Sequence, residues 1–236
     1  MGENWMGKVI VQRHTTDNPI SLMGEEAGIC WNADTSDEEK NFKRGLNCLQ
    51  SGHLRVAEYV QIYLVLDGYS ARVIREFYTH IGGGPTRLQE STRYVDCTNF
   101  DYVVPYSISK DESTLNSYKD IMSNIQEGYA RLQEAGVPKE DIANILPLGM
   151  NTKVVVRTNL RHLIDMSKQR LCTRAYWEYR NLMHDIIEEL SYHSDEWDYL
   201  VNDYHIFKRK CEELGYCPES KSCGYMKKLE GSKLSE

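Results

Sequence analysis

Apolar positions recur along this chain at two different periods, and the changes between them predict its elements. The β-branched run at 8–14 reads as a first or edge strand. Asn18-Pro19 then offers a helix start, with Ile20, Leu22, Met23 and Ala27 as the buried side up to Cys30-Trp31. The acidic stretch 32–40 predicts a loop or helix start, and 42–49 a short helix closed by Ser51-Gly52. At 56–66 the pattern alternates loosely and is rich in Val, Ile and Tyr, which predicts a central strand broken by Asp67-Gly68. Ser70 is the expected N-cap of a helix reaching Tyr78. Arg72, Arg75 and Glu76 share one side of it.

That helix delivers Thr79-His80-Ile81 into Gly82-Gly83-Gly84-Pro85, and a polar strand-like run follows with Arg87, Gln89, Glu90, Ser91 and Arg93. An extended connection is expected over 94–105. Ile121, Ile125, Tyr129 and Leu132 then mark an amphipathic helix over 115–135, ended by Gly136. Pro138 begins a short helix to Ile142, and 151–157 reads as another strand. Helices are predicted at 159–171, with Leu163, Met166 and Leu171 packing while Arg161, Asp165 and Arg170 project, and then at 175–190 and 194–213. Strands and helices mix without regular βαβ alternation. The expected class is α+β: a central, mainly antiparallel sheet flanked by long helices, with a helical C-terminal part. A single domain over 1–215 and a cysteine-containing tail over 216–236 complete the expectation.

Composition narrows the partners. With 236 residues, 41% of them hydrophobic, the chain is long enough for a real core. Its net charge of −7 argues against a general binder of nucleic-acid polymers or anionic membranes, so any anion site is a local concentration of arginine. No apolar run reaches the ~18 residues of a membrane span and no signal-peptide pattern opens the chain, so the cytoplasm is the expected compartment. Cys30, Cys48, Cys97 and Cys172 are then expected to be reduced and mostly buried. His205, Cys211, Cys217 and Cys223 fall six residues apart. That spacing is wider than familiar zinc motifs, so both a zinc site and a set of reduced or redox-active thiols stay open, and no metal is assigned.

Several chemistries lack their motif: Gly-x-Ser-x-Gly, the Walker loop, Gly-x-Gly-x-x-Gly and His-Glu-x-x-His are all absent. What remains is arginine, histidine and amide groups around a glycine turn, whose free N–H groups face anions well. Such a site binds anionic planar ligands and leaves electron chemistry to a cofactor.

Two blocks carry a family resemblance. The first holds Gly52-His53, Val56, Glu58, the helix into His80, and Ser91-x-Arg93-Tyr94. The second holds Leu146-Pro147-Leu148, Asn159-x-Arg161-x-Leu163, Arg170 and Ala175-x-Trp177-Glu178-x-Arg180. In this order they resemble the flavin-dependent thymidylate synthases. The resemblance implies reductive methylation of dUMP to dTMP, with methylenetetrahydrofolate as carbon donor and FAD reduced by NADPH as hydride carrier. It further implies Arg170 as the catalytic residue facing the uracil ring. Glu76, Arg87, Gln89, Glu90, Ser91 and Arg93 would bind the nucleotide. Gln61, Thr79, His80, Ile81, Asn159, Arg161 and Asp165 would hold the flavin, and the assembly would be a homotetramer.

The chain departs from the family pattern in places. An Arg-His-Arg triplet is Thr79-His80-Ile81 here, with two further residues before Ser91. Leu88-Gln89 stand for Asn-Glu, Glu76 for a glutamine, Ala143 for an arginine and Tyr59 for a histidine. Arg87, supplied by the longer loop, is the expected substitute for a lost phosphate contact. These changes leave open a C5 methyl- or hydroxymethyltransferase on UMP or dCMP, and also a flavin- or nucleotide-binding module without catalysis.

Overall fold

Residues 7–228 are described by a computed structural model. In chain order the elements are β1 (Lys8–Val11), α1 (Pro19–Cys30), α2 (Glu38–Gln50), a 3-10 turn (Leu54–Glu58), β2 (Gln61–Ser70), α3 (Ala71–Phe77) and β3 (Thr86–Gln89). Then follow α4 (Tyr106–Ser109), α5 (Glu112–Glu134), α6 (Lys139–Ile142), β4 (Asn151–Asn159), α7 (Leu160–Arg170), α8 (Trp177–Ser191), α9 (Asp195–Asp198) and α10 (Lys210–Leu214). The strands hydrogen-bond in the order β1-β2-β4-β3 in a mainly antiparallel sheet, so β1 is an edge and β2 is central, as the sequence predicts. The α+β class holds.

Two units make up the chain. One comprises Lys8, Val65–Thr79 and Arg87–Val155; the other comprises Val9–Leu64, His80–Thr86 and 156–228. The long strands β2 and β4 each begin in one unit and end in the other. In the first unit, Cys97, Phe100, Met122, Tyr129, Ile142 and Met150 form a core cluster against α5. The buried side of α5 is therefore Met122 and Tyr129, with Ile125 packed beside them, while Ile121 is 55% exposed. Of the predicted stripe, Ile125 and Tyr129 face the core, while Ile121 and Leu132 are exposed and Met122 takes the inward place next to Ile121, because a lone periodic count cannot choose between neighbouring apolar rows.

In the second unit, α1 begins at Pro19 as expected, but Asn18 makes no side-chain cap. The Glu196 carboxylate takes that role, accepting from the N–H groups of Ile20 at 2.6 Å and Ser21 at 3.0 Å. An anion suits these unpaired donors at the positive end of the helix. Nearby, buried Trp197 donates from Nε1 to Thr16 O at 2.7 Å, fixing α9 to the chain before α1. Leu22 is only half-buried in α1.

Three further expectations are corrected. The strand predicted at 56–66 starts only at Gln61, because Leu54–Glu58 turns as 3-10 helix, and β2 continues through Asp67-Gly68 to Ser70. Gly68 takes φ +76 there, so the glycine read as a break is an irregularity carried inside the strand. The single helix predicted at 194–213 is three pieces: α9, a π turn over Tyr199–Asp203, and α10 beyond a non-helical gap in which His205 has φ +53. Finally, α2 is longer than predicted because Asp37 caps it, accepting from Lys40 N at 3.1 Å. Among the scattered cysteines Cys48 and Cys97 are buried, Cys172 is intermediate and Cys30 is exposed. No helix among the described residues is long and apolar enough to cross a membrane.

Candidate active site

In the second unit, the start of α7 is the first part of the site. Asn159, the last residue of β4, caps α7 by accepting from His162 N at 2.9 Å. Its Nδ2 reaches Gly83 O at 3.4 Å, which sets the glycine turn against the helix start. Gly83 has φ +72, and a Cβ there would stand 3.0 Å from both Asn159 Nδ2 and His162 Cβ. The position requires glycine on both counts. Arg157 extends toward the same turn, with Nη2 at 3.4 Å from Gly84 O and 3.5 Å from Thr86 Oγ1. Arg161 lies in the first turn of α7, paired with Asp165 at 3.1 Å. Two guanidinium groups, a helix N-terminus and a close-lying glycine turn make a cradle suited to a dinucleotide's pyrophosphate.

The far end of α7 carries the second part. Arg170 donates from Nε to His80 Nε2 at 2.8 Å, and its guanidinium carbon lies 4.5 Å from the centre of the buried Tyr179 ring. His80 meets Tyr179 edge-on, with ring centres 5.9 Å apart, and has His162 on another side at 6.4 Å. An acceptor at Nε2 means that the His80 proton is on Nδ1, so the pair carries one positive charge, on Arg170. His162 is buried, with Nδ1 at 2.8 Å from Thr158 Oγ1. Arg170 is half-buried and lines a cavity of about 780 Å³.

The nucleotide candidates lie in the first unit. Arg87 lies over two rings, its guanidinium carbon 5.1 Å from the centres of both Phe77 and Tyr78, and it donates to Tyr78 O at 3.4 Å. Burial pushes the Tyr78 phenol up in pKa, against the opposing pull of Arg87. Gln89 donates to Thr152 Oγ1 at 3.3 Å, and Glu90 N to Lys153 O at 2.8 Å. Ser91 Oγ accepts from Arg93 N at 3.4 Å, and Arg93 makes an exposed ion pair with Glu140 at 3.4 Å. Thr79 is turned back on α3, donating from Oγ1 to the backbone oxygen of Glu76 at 2.6 Å. Glu76 is half-buried, and Ile81 is 77% exposed.

The structure thus joins His80 with Arg170, Asn159 with the glycine turn, and Arg161 with Asp165. Gln61 opens β2 and is bonded elsewhere, from Nε2 to Glu58 O at 3.0 Å and from its backbone N to Thr16 Oγ1 at 3.0 Å. Tyr179, His162 and Arg157 were missed by the sequence reading. Tyr179 is the variable position inside Trp177-Glu178-x-Arg180 and His162 the one inside Arg161-x-Leu163, so only their spacing to Arg170 and Asn159 pointed to them.

Comparison with known proteins settles the family. Residues 11–193 match the model of the thymidylate synthase complementing protein family. The flavin-dependent thymidylate synthase of Pyrococcus furiosus is 31% identical over 193 residues, covering 78% of this chain and 74% of its own. The chain belongs to the flavin-dependent thymidylate synthases. Another member, from Nitratidesulfovibrio vulgaris, is 29% identical over 89% of this chain and 91% of its own. The fold agrees with the flavin-dependent thymidylate synthase of Helicobacter pylori, solved with FAD and dUMP, at a TM-score of 0.64 and 17% identity over 80% of this chain and 97% of that one. As a flavin-dependent thymidylate synthase this chain carries the arginine, histidine and glycine groups described above within the span of the family match.

Proposed function

We infer that this chain converts dUMP to dTMP by reductive methylation, with methylenetetrahydrofolate as carbon donor. The observation that carries this reading is the family match over 11–193, within which Arg170 is fixed by His80 and Tyr179. The residues present fit FAD: Asn159 holds the glycine turn against the start of α7, and Arg157, Arg161 and that helix start offer the charge a pyrophosphate needs. Bound FAD, reduced by NADPH, supplies the hydride.

The protein's part is positioning and electrostatics. Ser91 and Arg93 hold the nucleotide phosphate, Arg93 exchanging its exposed Glu140 partner for it, with Arg87, Gln89, Glu90 and Glu76 as further contacts. Arg170 faces the uracil ring and stabilises negative charge on it as C5 becomes nucleophilic. His80 accepts from Arg170 Nε and thereby fixes the plane of the guanidinium. Asn159, Arg161, Asp165, Gln61 and the Thr79-His80-Ile81 segment line the flavin. The working assembly is a cytoplasmic homotetramer, and 1–215 acts as one catalytic domain.

Flavin content and anaerobic NADPH oxidation test this reading. Purified protein supplied with FAD should retain it and oxidise NADPH productively only with dUMP and methylenetetrahydrofolate both present. Protein that retains no flavin contradicts the assignment.

A further inference from the structure

Four of the seven cysteines, Cys172, Cys211, Cys217 and Cys223, line one cavity of the second unit, the same 780 Å³ space that Arg170 borders. Cys172 follows the end of α7, and the other three come from the segment 211–223. That segment is strapped to the α7 end. Lys168 pairs with Glu213 at 2.9 Å, Arg174 pairs with Glu219, and Arg209 donates from Nε to Leu171 O at 2.9 Å. Arg209 also lies under the Tyr225 ring at 4.2 Å, and Tyr225 donates to Glu212 Oε1 at 2.6 Å. His205, equally spaced in sequence, does not border the cavity, whereas Cys172 does.

Among the described residues no group of three or more His, Cys, Asp or Glu is placed to hold a metal ion. Cys223 is exposed, and the Arg174–Glu219 pair on one side of it and the Tyr225–Arg209–Leu171 contacts on the other bring its segment to the chain at 171–174, where Cys172 borders the same cavity. The Thr173 side chain, with the Tyr225 backbone and the Arg209 charge, holds the Cys223 thiol below the usual range. Burial pushes the Cys211 thiol up, and Cys172 and Cys217 both add to that shift. An accessible sulfur favoured as thiolate beside further thiols is the environment of an oxidant-sensitive cysteine.

We propose that this cluster is a peroxide-responsive thiol site in which Cys223 reacts first and Cys172 resolves it as an intramolecular disulfide. The Cys223 thiolate sulfur attacks one peroxide oxygen, the O–O bond breaks, and the released hydroxide takes a proton to leave as water. Cys172 then attacks the sulfur of the Cys223 sulfenic acid; the S–S bond forms, and the sulfenic oxygen departs as water with the Cys172 proton. Two thiols lose two electrons and one peroxide becomes two waters. The product covalently fastens the C-terminal segment to the end of the helix that carries Arg170. The proposal does not rest on the flavin chemistry.

The test uses the reduced full-length protein, treated with one equivalent of hydrogen peroxide, then alkylated and mapped by mass spectrometry. The expected result is a loss of about 2 Da with a Cys172–Cys223 linked peptide. Cys223→Ser should slow Cys172 oxidation at least about tenfold. Cys217→Ser should leave the rate unchanged. A different pairing, sulfinic acid on Cys223 with Cys172 still reduced, or one equivalent of zinc carried by the purified protein and released by a thiol reagent would each overturn the proposal.

Discussion

The Arg170 guanidinium is fixed on two sides: Nε donates to His80 Nε2 at 2.8 Å, and the face lies 4.5 Å from the Tyr179 ring centre. One arginine N–H is thus committed to orientation. Replacing His80 by Ala removes that acceptor without removing the charge. A hydrogen bond to a charged group contributes about 1.5–3 kcal/mol, so His80→Ala should lower kcat roughly ten- to hundredfold. His80→Gln retains an acceptor oxygen and should recover part of the loss. Equal kcat in the wild type and the Ala variant would show that the bond does not orient Arg170.

Gly83 carries a second prediction. With φ +72 and a virtual Cβ 3.0 Å from Asn159 Nδ2 and His162 Cβ, Gly83→Ala combines backbone strain with a clash against the α7 cap. The backbone part alone is about 1–2 kcal/mol, which lowers Tm by several degrees, by an amount that depends on chain size. Flavin affinity should fall in the same variant. Calorimetry and flavin fluorescence read the two effects, and an unchanged Tm with full flavin binding contradicts the cradle.

Arg87 is expected to serve the nucleotide from its place over the Phe77 and Tyr78 rings. Arg87→Ala should weaken dUMP binding at least about tenfold, the cost of one charge-assisted hydrogen bond. It should also lower thermal stability, because a guanidinium on an aromatic face contributes about 0.5–1 kcal/mol. Isothermal titration with dUMP distinguishes the two: lost stability with unaltered affinity would make Arg87 structural.

Asp37 gives a pH-dependent prediction. Its hydrogen bond from Lys40 N holds the carboxyl below its ordinary 3.8. A depressed folded-state pKa gives stability that is full above the unfolded value and fades as pH falls through the folded one. Asp37→Ala should therefore lower Tm at pH 7, and the gap from wild type should close in acid below 3.8. A gap that is constant with pH contradicts a capping carboxylate.

Much of the local structure was legible because single residues dictate it. Pro19 starts α1, Ser70 caps α3 through Val73 N at 3.2 Å, and Asn159 caps α7. The chemistry of Arg170 and His80 was legible from motif spacing, yet their mutual hydrogen bond was not, since 90 residues separate them. Long-range contacts account for the other misses. The Glu196 cap on α1 spans 176 residues and leaves no local pattern. The chain at 54–58 has strand composition but turns as 3-10 helix, where local preference yields to tertiary context. The break between α9 and α10 lies in a sequence with no Pro or Gly to mark it, so periodicity ran straight through.

The mass of the nucleotide product reads the reaction itself. Protein, FAD, NADPH and methylenetetrahydrofolate would be incubated without oxygen, with dUMP, UMP and dCMP offered together. dTMP alone should form, at a site in which Thr79-His80-Ile81 replaces an arginine-rich triplet. A modified UMP or dCMP in place of dTMP, or no product from flavin-loaded protein, would contradict it.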